Sequence, residues 1–157
     1  MYSGDPMQCV EEGSLAPDFE LADQDGKIFR LSSMRGKYVV LYFYPKAMTR
    51  GCTIEAIEFR DSYQKILSLG AVVVGVSKDS IDSIKKFSQK YGLPFTLLSD
   101  PEGVVIKQYC VQGPFGLARR VTFLIDDKGI VRKKWNKVNP LGHAMEVIKE
   151  IEALRGG

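Results

Sequence analysis

The sequence predicts an α/β fold, with a mixed central β-sheet flanked by helices, in a single domain over residues 1–157. Two continuous apolar runs, YVVLYFY at 38–44 and AVVVGVS at 71–77, are typical of central strands that are covered on both faces. Helical periodicity fills the segment between them, and two strands joined through a helix form a parallel crossover. Two further strands around DKG, followed by an amphipathic helix, complete the pattern.

The first half of the chain predicts strand, strand, helix, strand and helix, in that order. KIFRL at 27–31 alternates apolar and polar residues after the turn DQDG, as a half-buried strand does. A helix is predicted over 52–69, and Gly70 ends it in the position that favours glycine. Ser80 is the predicted N-cap of a second helix, which ends at Gly92.

The second half of the chain adds a short extended segment, a short helix, a hairpin and a helix. The short helix is predicted to begin near Pro101, and the hairpin to span residues 120–135 around the loop 127–129. The final helix is predicted to bury a stripe of Met145, Ile148, Ile151 and Leu154. One β-α-β unit and one β-β-α unit, with helices on both faces of the sheet, predict a thioredoxin-like fold.

Composition and charge argue against several classes of function. The chain is 45% hydrophobic and 26% charged, as soluble domains are, and its net charge of +3 is not clustered as in nucleic-acid-binding proteins. No segment approaches the roughly 20 apolar residues that cross a bilayer, and the N-terminus lacks a signal-peptide pattern. We expect a cytoplasmic protein with no nucleic-acid or membrane partner, and disorder over about the first eight residues.

The cysteines indicate an intracellular chain with no metal site. Cys9, Cys52 and Cys110 are widely spaced and odd in number, unlike a secreted disulfide framework. They form no C-x-x-C pair, and His143 is the only histidine. We therefore expect neither a metal nor another cofactor.

Cys52 is the candidate reactive residue, because it lies where a strand passes into a helix. The first turn of a helix has unpaired N–H groups and a positive dipole end, both of which favour a thiolate. Thr49 can direct its hydroxyl to the sulfur or to an oxygen bound beside it, and Gly51 lets the backbone approach a small ligand. Pro45 fixes the exit from the strand and would shield the sulfur from water.

Several chemistries are open to a cysteine in this position. A dithiol reductase needs a second cysteine three residues later, where Glu55 stands, and a Cys-His hydrolase needs a base nearer than His143. A thiolate beside threonine and arginine suits a peroxide O–O bond, because the leaving oxygen needs hydrogen-bond donors and positive charge. A redox sensor, in which oxidation of Cys52 changes a partner surface, is the alternative.

The segment PKAMTRGC resembles the P-x-x-x-T-x-x-C signature of the peroxiredoxins, with Pro45, Thr49 and Cys52 at the signature positions. ARRVTFLID resembles the segment that carries the distal arginine of that family. The resemblance covers nearly the whole chain and is strongest to the bacterioferritin comigratory protein (BCP) or PrxQ subfamily. It extends through GSLAPDFELADQDGK, YVVLYFYPK, YGLPFTLLSD and VNPLGHAMEVIKEI.

This resemblance implies a thiol-dependent peroxidase that reduces hydrogen peroxide and organic hydroperoxides to water and alcohols in antioxidant defence. Cys52 would be the peroxidatic cysteine, which attacks the peroxide and becomes a sulfenic acid. Thr49 would hydrogen-bond the peroxide, and Pro45 would limit access to the sulfur and its overoxidation.

The resemblance also implies an arginine beside the thiolate. Arg120 is the expected residue and Arg119 its rival, since neighbouring residues on a strand face opposite ways. Glu55 would hold Arg120 in place, or would simply be an acidic residue that the helix dipole favours. Arg50 would either favour the thiolate or be an exposed loop residue.

The resemblance leaves the regeneration of Cys52 open. Many relatives carry a resolving cysteine five residues after the peroxidatic one, but that position here is Ile57. The cycle is therefore either one-cysteine, with a thioredoxin-like or other thiol reductant, or atypical two-cysteine, with Cys110 or Cys9 as the resolving residue. A disulfide to Cys52 would require Cα atoms about 4.4–6.8 Å apart. Relatives of this kind are monomers or homodimers.

Overall fold

The computed structural model describes residues 9–156, so the expectation of disorder in residues 1–8 lies outside the described part. The strands and helices follow in this order: β1 Glu20–Asp23, β2 Ile28–Arg30, β3 Tyr38–Phe43, α1 Arg50–Ser68, β4 Ala71–Ser77, α2 Ile81–Tyr91, β5 Thr96–Ser99, α3 Val104–Gln108, β6 Val121–Ile125, β7 Val131–Trp135 and α4 His143–Gly156. Short 3-10 turns lie at Leu31–Met34 and Pro114–Gly116.

One seven-stranded mixed sheet has the order β2-β1-β5-β4-β3-β6-β7. The strands β3, β4 and β5 run parallel to one another, whereas β1 and β6 pair antiparallel at the two sides of that group. The parallel pairing of β3 with β4 confirms the crossover predicted from the two apolar runs. The hairpin of β6 and β7 adds to the same sheet, as expected.

The sheet separates two hydrophobic cores. Every residue of β3 is buried, and its side chains alternate between the two faces. Tyr42 packs with residues of α1, α2 and α4 on one side, which we call the α1 face. Phe43 packs with residues of α3 on the other side, which we call the α3 face. This double coverage is the reason why β3 and β4 are continuous apolar runs.

Strand β1 and the start of α3 were not predicted correctly. The four residues of β1 are only partly buried and show no clear alternation, and the strand exists through its pairing with β2 and β5. Helix α3 begins at Val104 rather than near Pro101, because Gly103 has a left-handed φ of 71°. The side chain of Asp100 accepts hydrogen bonds from the amides of Val104 and Ile106 and so fixes the later start.

The predicted inner stripe of α4 was wrong at Met145, which is 54% exposed. A strict three-residue repeat drifts around a helix that has 3.6 residues per turn, so positions 145, 148, 151 and 154 cannot share one face. The face that packs against the sheet instead comprises His143, Ala144, Val147, Ile148 and Ile151.

Asp126 organises the turn between β6 and β7. Its Oδ1 accepts hydrogen bonds from the amides of Lys128 and Ile130, both at 2.9 Å, and its Oδ2 lies 3.3 Å from Arg132 Nη1. Burial tends to raise the pKa of Asp126, but these hydrogen bonds outweigh burial and hold the pKa below its ordinary value. The carboxylate therefore stabilises the hairpin that positions the start of β6.

We expect Asp126→Ala to lower the free energy of unfolding by about 2 kcal/mol at neutral pH, because two partly buried amide hydrogen bonds lose their acceptor. The folded-state pKa lies below the unfolded value, so this stabilisation is present above the unfolded pKa and is lost as the pH falls through the folded one. In urea unfolding, the difference in unfolding free energy between the wild type and the variant should be smaller at about pH 3 than at pH 7. The control is Asp127→Ala. Equal losses of stability in the two variants would contradict the role of Asp126 in this turn.

Candidate active site

Cys52 lies in the first turn of α1, as predicted. Strand β3 ends at Phe43, and a short loop leads to the start of the helix at Arg50. The first helical hydrogen bond joins Thr53 N to Thr49 O at 2.9 Å, so the amides before Thr53 precede the intrahelical ladder. Cys52 is only 1% exposed. Its sulfur is thus shielded from bulk water but lies next to the positive end of the helix.

Arg120 reaches this sulfur because of the way β6 pairs with β3. The antiparallel register places Val121, the first residue of β6, beside Phe43, the last residue of β3. Arg120, one residue earlier, therefore lies close to the start of α1. Its Nη1 is 3.5 Å from Cys52 Sγ, within hydrogen-bond distance of a sulfur acceptor. The pairing of two strands thus supplies the positive charge, although the residues are far apart in sequence.

Arg119 occupies a different environment from Arg120. Its Nη2 donates a hydrogen bond to the backbone carbonyl of Cys110 at 3.0 Å. Successive side chains of an extended chain point to opposite sides, so the two arginines do not share a face. The geometry places Arg120, not Arg119, beside Cys52.

Glu55 holds the guanidinium of Arg120 in place. It lies three residues after Cys52, on the same side of α1, and its Oε1 accepts a hydrogen bond from Arg120 Nη1 at 2.7 Å. Its side chain is fully buried, and that of Arg120 is 19% exposed. One Arg120 nitrogen therefore contacts both the carboxylate and the sulfur.

Glu55 and Arg120 influence each other's ionisation. Burial raises the pKa of Glu55, and the attraction of Arg120 opposes that rise. Burial disfavours the charged form of Arg120, but Glu55 and Cys52 outweigh it and raise the pKa of Arg120. The guanidinium therefore remains positively charged beside Cys52 Sγ.

Thr49 immediately precedes α1, but its side chain does not cap the helix. Its hydroxyl instead donates a hydrogen bond to the carbonyl of Lys46 at 2.6 Å. Because the single hydroxyl hydrogen is used in this way, Thr49 Oγ1 can only accept a hydrogen bond from a ligand. Thr49 and Arg50 are exposed, and Pro45 is half-buried.

Gly51 makes room for Arg120. A Cβ atom at this position would lie 2.9 Å from Arg120 Nη2 and 3.8 Å from Pro140 Cγ. The first of these distances is shorter than side chains normally allow. The sequence predicted a glycine that admits a small ligand. The structure adds a second reason, since the guanidinium lies against the bare backbone.

Sequence reasoning missed the polar residues of the surrounding core. His143 is buried, and its ring nitrogens lie 2.9 Å from Thr122 Oγ1 and 3.0 Å from Glu146 Oε1. Burial lowers the pKa of His143, so its neutral form is favoured. Tyr42 stacks on Tyr44 at 5.4 Å on the same face of the sheet. The alternation within YVVLYFY could have identified the two tyrosines as neighbours, but no local signal marks His143 as buried.

The other two cysteines lie on the opposite side of the sheet from Cys52. Cys52 belongs to the core of the α1 face, whereas Tyr109 and Val111, which flank Cys110, belong to that of the α3 face. The side chain of Cys110 hydrogen-bonds to that of Cys9. The structure therefore brings Arg120 and Glu55 to Cys52, but it brings Cys110 to Cys9.

Within residues 9–156, no group of three or more His, Cys, Asp or Glu side chains could hold a metal ion. Nor is any helix of this part of the chain long and apolar enough to span a membrane.

Known proteins share this sequence and this fold. Residues 13–134 match the AhpC/TSA family. The putative peroxiredoxin bcp of Coxiella burnetii is 45% identical over 88% of this chain and 97% of its own length. The chloroplastic peroxiredoxin Q of Triticum aestivum is 48% identical over 92% of this chain and 68% of its own length.

A solved structure of a similar protein has the same overall fold, which confirms that the fold is thioredoxin-like. The crystal structure of peroxidoxin BcpB from Mycobacterium tuberculosis superposes with a TM-score of 0.87, at 37% identity, over 93% of this chain and 99% of that one. Arg120 and Glu55 meet Cys52 in one site, and the match extends over most of the sequence. The chain therefore belongs to the AhpC/TSA family, among the Bcp and Q-type peroxiredoxins.

Proposed function

We propose that Cys52 is the peroxidatic cysteine of this thiol-dependent peroxidase. The observation that supports this role is the 3.5 Å contact between Cys52 Sγ and the charged Arg120, in the first turn of a helix. The thiolate attacks one peroxide oxygen, the S–O bond forms and the O–O bond breaks. Hydroxide or alkoxide leaves and takes a proton to become water or alcohol, and Cys52 becomes a sulfenic acid.

Thr49 orients the peroxide by accepting a hydrogen bond from its O–H group. Its own hydrogen is donated to the Lys46 carbonyl, which leaves only lone pairs for the substrate. A hydroperoxide always has at least one O–H donor. Thr49 therefore selects the protonated oxygen and leaves the other positions of the substrate to Arg120 and the helix amides.

Arg120 stabilises the thiolate and the negative charge that develops on the breaking O–O bond. Donors that are already in place need no rearrangement during the reaction, and a buried site strengthens their effect. Glu55 is a positioning residue, since its 2.7 Å contact fixes Arg120 Nη1. The 1% exposure of Cys52 favours small substrates such as hydrogen peroxide and small organic hydroperoxides, and Pro45 contributes to this limited access.

We infer that an external thiol regenerates Cys52. Position 57, where many relatives carry the resolving cysteine, is isoleucine, and the residues that directly follow Cys9 and Cys110 pack on the α3 face. A thioredoxin-like or other thiol would attack the sulfenic sulfur, release water and form a mixed disulfide, which a second thiol would reduce. Because Cys52 is buried, this step requires local opening of the first turn of α1.

Some properties expected from the sequence stay predictions. These are the monomeric or homodimeric state, the cytoplasmic location and the contribution of the exposed Arg50 to the thiolate. The relatives include proteins named as chloroplastic.

The first prediction concerns Cys52→Ser made in a chain that already carries Cys9→Ser and Cys110→Ser. The added substitution should abolish peroxide consumption with any thiol reductant, because serine does not supply the nucleophile. The matched control is the double variant Cys9→Ser/Cys110→Ser, which should keep wild-type turnover with an external thiol. Substantial turnover in the triple variant would refute the role of Cys52. Loss of turnover in the double variant alone would instead favour the two-cysteine cycle.

The second prediction concerns Arg120→Lys, which should lower kcat/KM for hydrogen peroxide by roughly 10²–10³-fold. Lysine keeps the charge but lacks the planar fork that contacts Glu55 and Cys52 together. Stopped-flow measurement of peroxide consumption would give the ratio. Arg119→Lys is the control and should react like the wild type, and a comparable loss in both variants would rule out a specific role for Arg120.

The third prediction concerns Gly51→Ala, which should lower kcat/KM by about tenfold, equivalent to about 1.4 kcal/mol. The added methyl group would press on Arg120 Nη2 and displace the guanidinium from Cys52. Alanine favours helix more than glycine does, so the melting temperature should not fall. Gly156→Ala, which meets no atom within 4 Å, is the control. Unchanged kinetics in Gly51→Ala would show that the close packing of Gly51 against Arg120 has no effect on the reaction.

A further inference from the structure

Cys9 and Cys110 are neighbours in space, although 101 positions separate them in the sequence. Their side chains are joined by a hydrogen bond between the sulfur groups. Val10 and Val111, which directly follow the two cysteines, are both buried in the core of the α3 face. The pair is therefore held at the edge of that core, on the other side of the sheet from Cys52.

The segment that carries Cys9 is attached to β7. Lys134 Nζ donates a hydrogen bond to the carbonyl of Val10 at 3.0 Å and lies 3.3 Å from Glu11 Oε2. The amide of Lys134 donates to Glu12 Oε2, also at 3.0 Å. Only 7% of the Lys134 side chain is exposed, so its ammonium group is fixed against this segment.

Cys110 is fixed in a backbone conformation that normally favours glycine. Its φ is 59°, in the left-handed region, where a side chain is strained. Its amide donates to Lys107 O and its carbonyl accepts from Arg119 Nη2, each at 3.0 Å. Packing does not explain a cysteine here, because glycine would fit this turn with less strain.

The two sulfurs differ in their environments. Burial and, after it, the hydrogen bond and the charge of Cys9 together raise the pKa of Cys110 to about 11, although Lys134 opposes this rise. Cys110 therefore keeps its proton. Cys9 is exposed, whereas Cys110 is half-buried. A small oxidant would consequently meet Cys9 first, with the Cys110 thiol next to it.

We propose that Cys9 and Cys110 form a second redox centre, a dithiol that hydroperoxide converts to an intrachain disulfide without participation of Cys52. The Cys9 thiolate attacks a peroxide oxygen, the O–O bond breaks, and hydroxide or alkoxide leaves as water or alcohol after taking a proton. Cys110 then attacks the Cys9 sulfenic sulfur. The S–S bond forms, the S–O bond breaks, and the departing hydroxide takes the Cys110 proton and leaves as water.

The disulfide would tie the N-terminal segment to the end of α3. It would close a loop that contains most of the domain, and long loops lose the most unfolded-state freedom on cross-linking. We therefore expect the oxidised chain to melt at a higher temperature than the reduced chain. This inference does not depend on the role proposed for Cys52.

Peptide mapping can test the proposal directly, because trypsin places the three cysteines in separate peptides. These peptides are residues 1–27, 51–60 and 108–119. The Cys52→Ser variant is treated with excess hydrogen peroxide, alkylated and digested without reduction. We expect peptide 1–27 joined to peptide 108–119, and an intact mass that is lower by two hydrogens.

The controls separate this disulfide from other products. Cys52→Ser/Cys110→Ser should give no cross-linked peptide, and a non-reducing gel should show Cys52→Ser as a single chain. The wild-type chain, mapped in the same way, should give the same cross-link and so makes the test independent of any substitution. Alkylated peptides 1–27 and 108–119 recovered separately, a disulfide between chains, or peptide 108–119 joined to 51–60 would each overturn the proposal.

Discussion

The double contact of Arg120 with Glu55 and Cys52 is the interaction on which the candidate active site depends. A single nitrogen lies 2.7 Å from the carboxylate and 3.5 Å from the sulfur, so any shift of the guanidinium changes both contacts. The helix start fixes Cys52 and Glu55, and the pairing of β6 with β3 fixes Arg120. Gly51 leaves the space in which the three groups meet. Without Arg120, the charge of the buried Glu55 would have no partner, and this would destabilise the folded state.

The sheet lies between Cys52 and the pair of Cys9 and Cys110, just as it lies between the two hydrophobic cores. The α1 face holds a buried sulfur beside a fixed cation, an arrangement suited to a fast reaction with a small electrophile. At the edge of the core of the α3 face lie two neighbouring thiols, the exposed Cys9 and the half-buried Cys110, which suit closure to a disulfide. Because β3 and β6 are buried strands between these faces, a sulfur on one side does not reach the other within the folded chain. This separation is the physical basis for proposing an external reductant for Cys52.

Local patterns predicted most of the fold because the local signals were strong. The boundaries of β4, the N-cap of α2 at Ser80 and the helix end at Gly92 all follow from burial, capping and a left-handed turn within a few residues. The predictions that failed depended on distant partners. Strand β1 is defined by its neighbours in the sheet, and α3 starts where Asp100 can cap it. Met145 was misplaced because a repeat of three does not follow the helical period.

The sequence by itself determined the thioredoxin-like fold and the class of reaction. It also singled out Cys52 as the candidate reactive residue, because the signature residues lie within one loop and one helical turn. It also named Arg120 and left Arg119 as a rival, since sequence spacing does not say which way a side chain points. Only the tertiary structure decided that choice, along with the positions of Glu55 and Gly51 against the guanidinium. Likewise, only the pairing of remote segments could place Cys9 beside Cys110, because nothing local links residues so far apart in the chain.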